Sequence, residues 1–208
     1  MTSNSLNGMF PHPLLVETLK LDVNKIANFC YESISTNKIK SAKKSGSNRG
    51  GWQSDYIDIN SIDNLEFNLL VTEIRNNINK VSSEMGIIPK LDINNMWINM
   101  TRYGNYNIPH CHSGSILSGT FYVKTPTNCG SIEFENPIAS LMDSYLTHWH
   151  LRNEKELTNS PWLLQKLNVP CEENKLVIFP SWIKHSVEQN LNKDEDRISI
   201  AFNCSPIG

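Results

Sequence analysis

Apolar positions recur every three to four residues in the first half of the chain, whereas the second half breaks into short β-rich runs. Behind a strand-like stretch from Leu14 to Leu21, Val23, Ile26, Ala27, Cys30 and Ile34 follow helical spacing, with Asp22 as a possible cap. A second stripe (Phe67, Leu70, Val71, Ile74, Ile78, Val81, Met85) predicts a helix that Asp63 can open and that Gly86 and Pro89 close. The polar stretch 37–51 separates the two. From Met96 onward, MWINMTR (96–102), SGTFYVK (118–124), SIEFEN (131–136), KLVIFPS (175–181) and RISIAFN (197–203) read as strands. Turn signals lie between them, at Tyr103–Asn105, Pro126–Gly130 and Asn190–Asp196. Helices first and then many short strands predict one α+β domain, with 1–95 as a helical flank and 96–203 as a sandwich or barrel core. Residues 137–169 interrupt the strands, with helix-like stretches at Ser140–Leu146 and Trp162–Leu167. An insertion of that size suits a lid or a substrate-binding segment.

Charge narrows the partners. Nineteen Lys and Arg against 21 Asp and Glu give a net charge of −2, with no basic excess to suggest nucleic acid. The one basic cluster, Lys38 to Arg49, is diluted by Ser and Gly and reads as a solvated loop. No apolar run approaches the ~20 residues that span a bilayer. The five cysteines (Cys30, Cys111, Cys129, Cys171, Cys204) are odd in number and dispersed, and Met1 is not followed by a charged flank and apolar run. The expectation is a reduced, cytoplasmic protein without a disulfide framework. Abundant Asn and Lys fit a bacterial or phage genome.

Three histidines carry the chemistry. His110 and His112 flank Cys111, and residues i and i+2 of an extended chain share a face, so both imidazoles can reach one metal ion. His185 follows KLVIFPS at the end of a distant strand. Arg197 opens RISIAFN, where Arg197, Ser199, Ala201 and Asn203 share one face and Ile198, Ile200 and Phe202 the other. That face is either a solvated surface, with Arg197 paired to Asp194, Glu195 or Asp196, or a polar pocket in which the guanidinium fork meets a carboxylate. A second His-x-His pair, His148 and His150, brackets Trp149 ahead of Arg152 and reads as a pocket rim or substrate contact. His12 lies in a proline-flanked loop, and Trp52 reads as a packing anchor.

The stretches SNRGGWQS (47–54), HCHSGSILSGTFYVKTP (110–126), IEFENP (132–137), FPSWIKHSV (179–187) and DRISIAFN (196–203) together resemble a group of small 2-oxoglutarate- and iron(II)-dependent oxygenases of bacteria and phages. The resemblance covers about Ser47 to Asn203. It implies a double-stranded β-helix, the cupin-like jelly roll, with the N-terminal helices packed on one sheet. It also implies Fe(2+) and 2-oxoglutarate as cofactors, O2 and an unidentified primary substrate as partners, and hydroxylation with release of succinate and CO2. Carried over by position, His110 and His185 become metal ligands, and Arg197 and Ser199 bind the distal carboxylate of 2-oxoglutarate with Tyr122. Alternation supports Tyr122, because it shares a face with Thr120 opposite Phe121 and Val123. Asn99 and Tyr103 are further cosubstrate candidates. Position 112 holds His where most of the superfamily has Asp or Glu. The third ligand is therefore His112, or else a carboxylate from Glu133 or Glu135. Two other classes remain in view: a three-His cupin-like dioxygenase without 2-oxoglutarate, and a non-catalytic β-sandwich binding module.

Overall fold

A computed structural model describes residues 10–42, 46–148 and 164–207. Strand β1 (Leu15–Thr18) leads into helix α1 (Val23–Ser35), and the short strands β2 (Asn48–Arg49) and β3 (Trp52–Gln53) precede helix α2 (Leu65–Glu84). Then follow β4 (Leu91–Thr101), β5 (Tyr106–His110), β6 (Leu117–Lys124) and β7 (Ser131–Glu135). Helix α3 (Ala139–His148) and strands β8 (Lys166–Pro170), β9 (Lys175–Pro180), β10 (His185–Val187) and β11 (Arg197–Pro206) complete the order. Six strands form a major sheet in the order β1-β9-β6-β11-β4-β3, and five form a minor sheet, β2-β5-β10-β7-β8. Every ladder is antiparallel. This is the double-stranded β-helix with helices on one sheet.

Alternation on the central strands separates scaffold from cavity. On β11, Ile198, Ile200 and Phe202 are fully buried in a core shared with Ile26, Phe67 and Ile74 of the two helices. On β6, Phe121 and Val123 turn the same way, and Tyr122 joins a second apolar cluster with Ile132, Phe134, Val177 and Phe179 between the sheets. Phe202 lies opposite Gly119 in the ladder, and its ring occupies the space that a Cβ on Gly119 would need. Such an aromatic–glycine pair fixes the β6–β11 register by shape.

Helix α2 forms because Phe67, Leu70, Val71, Ile74, Ile78 and Val81 place one buried stripe on the sheet. It opens one residue later than Asp63, since Asn64 Oδ1 accepts from the Phe67 amide at 3.0 Å. It closes at Gly86 (φ +70°), where the Gly86 amide donates to Ser83 O and the Ile87 amide to Ser82 O, a Schellman motif.

Two expected boundaries shift. The flank 1–95 is not purely helical, because β1, β2 and β3 supply edge strands to both sheets and β4 already begins at Leu91. Gly50 (φ +82°) and Gly51 make the crossing from β2 to β3, and a Cβ on Gly51 would press on Met100 O at 3.1 Å. The interruption is also shorter than 137–169. Helix α3 covers the first helix-like stretch, but Lys166–Pro170 pairs with β7 as an edge strand, where a helix had been expected up to Leu167. Among the described residues, no helix is long and apolar enough to cross a membrane.

Candidate active site

The two sheets enclose a cavity of about 320 Å³, and its wall unites residues far apart in sequence. The β10–β5 ladder sets His185 opposite His110, and His112 follows two residues on, its amide donating to Ser181 O at 3.0 Å. The ring centroids lie 4.3 Å (His110–His185), 5.0 Å (His110–His112) and 5.1 Å (His112–His185) apart. One nitrogen from each of the three falls within 4.8 Å of the others, and the group contains no carboxylate among the described residues.

The tautomers suit a metal. His110 Nδ1 lies 2.8 Å from Ile108 O and His185 Nδ1 lies 3.0 Å from Ile183 O. A carbonyl can only accept, so each Nδ1 carries the proton and each Nε2 presents a lone pair. His185 Nε2 faces His112 Nε2 at 3.3 Å. That separation suits two nitrogens of one ion held at roughly 2.0–2.2 Å from each. Burial pushes all three imidazoles below their ordinary range, His112 to about 4 and His185 to about 3, with neighbouring imidazole charge adding to the effect on both. They are therefore neutral at pH 7, the form that binds metal. Phe179 holds His185 edge-on at 4.6 Å between centroids.

The expected carboxylate alternatives fall away. On β7 the buried Ile132 and Phe134 alternate with Glu133 and Glu135. Glu133 pairs with Lys166 at 2.6 Å and Glu135 with Lys184 at 2.9 Å. Strand alternation turns both carboxylates away from the side where Phe134 meets His185.

Arg197 lies in the cavity wall and is 3% exposed. Its Nη1 donates to Cys129 O at 2.6 Å, and no carboxylate among the described residues pairs with it. The neighbouring acids are engaged elsewhere, Glu195 with Lys124 and Asp196 with Arg102. Ser199 and Asn99 face each other across the β11–β4 ladder and Ser199 and Tyr122 across β11–β6; all three line the cavity. Among the described residues, no nitrogen or oxygen partner reaches the buried Tyr122 hydroxyl, which lies beside Arg197 and the thiols of Cys171 and Cys129. A buried hydroxyl left unpaired is costly, so this atom awaits an acceptor. Tyr103 does not belong to the cluster. It sits in the turn after β4, 54% exposed, with Lys193 Nζ 5.7 Å above its ring.

Trp97 went unread. It shares the inner face of β4 with Asn99 and Thr101, and its ring centroid lies 5.9 Å from His112 and 6.0 Å from Tyr56. The alternation of MWINMTR already placed it beside Asn99. Trp149, His150, Arg152 and Trp162 lie outside the described residues, and of His148 only the backbone at the end of α3 is described.

A family model described as "Putative 2OG-Fe(II) oxygenase" matches residues 95–203, just over half of the 208. The chain belongs to this 2OG-Fe(II) oxygenase family. Members use iron(II), 2-oxoglutarate and O2 on a substrate, and the chain is an enzyme of this type. No curated protein sequence matches it. Solved oxygenases share the fold at low identity. A prolyl-4-hydroxylase of Pseudomonas putida aligns over 95% of this chain and 94% of its own, with 13% identity and a TM-score of 0.66. The viral collagen prolyl hydroxylase vCPH of Paramecium bursaria Chlorella virus-1, a 2OG complex, aligns over 93% and 96% with 12% identity and a TM-score of 0.58. HygX of Streptomyces hygroscopicus, solved with nickel and 2-oxoglutarate bound, aligns over 94% and 83% with 9% identity and a TM-score of 0.56.

Proposed function

We propose that His110, His112 and His185 hold the iron of this oxygenase as a three-imidazole site, and that Arg197, Ser199 and Tyr122 bind the distal carboxylate of 2-oxoglutarate. The observation that carries this reading is the pairing within one cavity of a three-imidazole cluster with a buried guanidinium that lacks a carboxylate partner. A dioxygenase working without 2-oxoglutarate would have no use for that guanidinium. Together with O2 and 2-oxoglutarate, iron(II) supplies an oxidation that releases succinate and CO2 and places one oxygen atom into a substrate C–H bond.

The residues divide the work. Arg197 and the Tyr122 hydroxyl donate to the distal carboxylate and fix the cosubstrate's orientation, while the Cys129 carbonyl steadies the guanidinium. Ile108 O and Ile183 O hold the His110 and His185 rings in the ligating tautomer. Phe179, Ile132 and Val187 wall the cavity with apolar surface and limit water.

The primary substrate enters beside Trp97 and Tyr56. From Arg197 to Ala201 the strand advances about 13 Å, so the cavity is layered. The Ser199–Asn99–Tyr122 layer suits the cosubstrate, and the Ala201–Trp97–Thr120 layer remains. Among the described residues, Arg197 is the one charged side chain in the cavity wall. With Arg197 occupied, the remaining layer offers aromatic faces and the amide of Asn203, and it favours an uncharged substrate group. A cytoplasmic setting fits the five free thiols. The test is anaerobic purification followed by addition of iron(II), 2-oxoglutarate and O2. Succinate should form in proportion to iron and vanish in His185→Ala. Iron-independent or absent succinate formation in the wild type would overturn the assignment.

A further inference from the structure

Arg197 is anchored by the main chain of a cysteine, and that cysteine has a second one as neighbour. Cys129 O accepts the Arg197 guanidinium at 2.6 Å. In the β7–β8 ladder Ser131 pairs with Pro170, so the chain just before β7 and the chain just after β8 lie side by side. Cys129 is on the first and Cys171 on the second. The Cys129 thiol donates to Gly130 O at 3.7 Å, and the Cys171 thiol, the Tyr122 hydroxyl and Arg197 lie close enough to bear on its ionisation. Thus two thiols, the carbonyl that anchors Arg197 and a buried phenol form one cluster behind the cosubstrate wall.

We propose that Cys129 and Cys171 form an oxidisable dithiol site that takes hydrogen peroxide as its reagent and, once joined, weakens 2-oxoglutarate binding. The proposal rests on the reading of Arg197 and Tyr122 as the cosubstrate carboxylate site. Cys171 is the attacking sulfur. Interaction with the neighbouring Cys129 thiol, helped by the positive charge of Arg197, holds its thiol down to about 7 against the opposing effect of burial, while Cys129 is pushed up. Cys171 is half-buried and Cys129 buried, so peroxide meets Cys171 first. The Cys171 thiolate attacks one peroxide oxygen, breaking the O–O bond to give a sulfenic acid and hydroxide, which takes up a proton as water. Cys129 sulfur then attacks the Cys171 sulfur, the S–O bond breaks, and a second water leaves. Two thiols lose two electrons in total, one peroxide gains them, and two waters form.

A disulfide holds its two Cβ atoms about 3.5–4.5 Å apart. Meeting that limit pulls on the Cys129 main chain, whose carbonyl orients Arg197.

The experiment uses the full chain loaded with nickel(II), treated with stoichiometric hydrogen peroxide, and has two readouts. Non-reducing peptide mass spectrometry should find a Cys129–Cys171 crosslink that dithiothreitol reverses and that Cys171→Ser abolishes. Calorimetric titration with 2-oxoglutarate should show affinity about tenfold or more weaker in the oxidised protein, the order of a lost hydrogen bond to a charged group. Dithiothreitol should restore it, and the affinity of Cys171→Ser should not respond to peroxide. Absence of the crosslink, or a crosslinked protein that binds 2-oxoglutarate as the reduced one does, overturns the proposal. Arg197→Ala separates the two readings. If that variant binds 2-oxoglutarate normally, the cosubstrate assignment has failed, whereas a normal crosslink in it leaves the dithiol chemistry standing.

Discussion

Replacing Arg197 by Ala should cost cosubstrate affinity far more than it costs the fold. In the free protein the guanidinium is 3% exposed and, among the described residues, is held by one hydrogen bond, to Cys129 O, so its burial is poorly compensated. Exchanging such a charge for an apolar side chain of similar length, as in Arg197→Met, is commonly neutral or stabilising by about 1–4 kcal/mol. The orphaned Cys129 carbonyl takes back about 1 kcal/mol of that. With 2-oxoglutarate bound, the balance reverses, because a carboxylate deprived of its buried partner loses about 2–5 kcal/mol. That corresponds to weakening of about 30-fold to several-thousand-fold. Calorimetric titration of the nickel-loaded protein reads this directly, and melting with and without 2-oxoglutarate reads the stability side. Arg197→Lys should recover only part, since a point charge cannot reproduce the planar fork. If Arg197→Ala bound 2-oxoglutarate within about threefold of the wild type, well under one hydrogen bond to a charge, the carboxylate site would have to lie elsewhere.

Other outcomes follow from the same geometry. His112→Ala should weaken metal binding by more than the roughly 10–100-fold that outer partners of ligands are worth, while Glu133→Gln should leave it unchanged and cost under about 1 kcal/mol of stability; competition with a chelator checks both, and metal loss in Glu133→Gln would revive the carboxylate reading. Trp97→Ala should retain succinate formation without added substrate but lose its stimulation by substrate-containing cell extract, and unchanged stimulation would remove Trp97 from the substrate layer. Phe202→Ala should destabilise by about 3–5 kcal/mol and Asn64→Ala by about 1 kcal/mol in denaturant titrations, both with 2-oxoglutarate affinity intact, because each residue lies on the helix side of the major sheet.

The parts legible in sequence were those that a local period encodes. Ile198, Ile200 and Phe202 declared one face of β11 and thereby handed Arg197 and Ser199 to the other. The same rule on β6 set Tyr122 apart from Phe121. Where the period is too short to register, the reading failed. Strand β8 has two apolar side chains, Leu167 and Val169, of which Leu167 faces solvent, and it exists because β7 offers an edge. By sequence Tyr103 groups with Asn99 on the strand before His110, yet β4 ends at Thr101 and the turn at Gly104 (φ +79°) takes Tyr103 outward. Asn64 displaced Asp63 as the cap because both residues accept equally well and tertiary packing picks the start. The Cys129 carbonyl under Arg197 left no sequence trace, since any residue presents a carbonyl.

The two-sidedness of β11 also bears on how such a gene can drift. Substitutions on one face are nearly invisible to the other, so the interior and the chemistry can change at separate tempos. Length is another matter. Losing Ile198 would invert every later side chain, sending Ile200 and Phe202 into the cavity and Ser199 into the helix-packed core. Gaining two would keep the faces but carry Arg197 about 7 Å along the strand, out of reach of Cys129 O. Descendants of this sequence should therefore record their insertions in the Asn190–Asp196 loop and leave the strand's residue count alone.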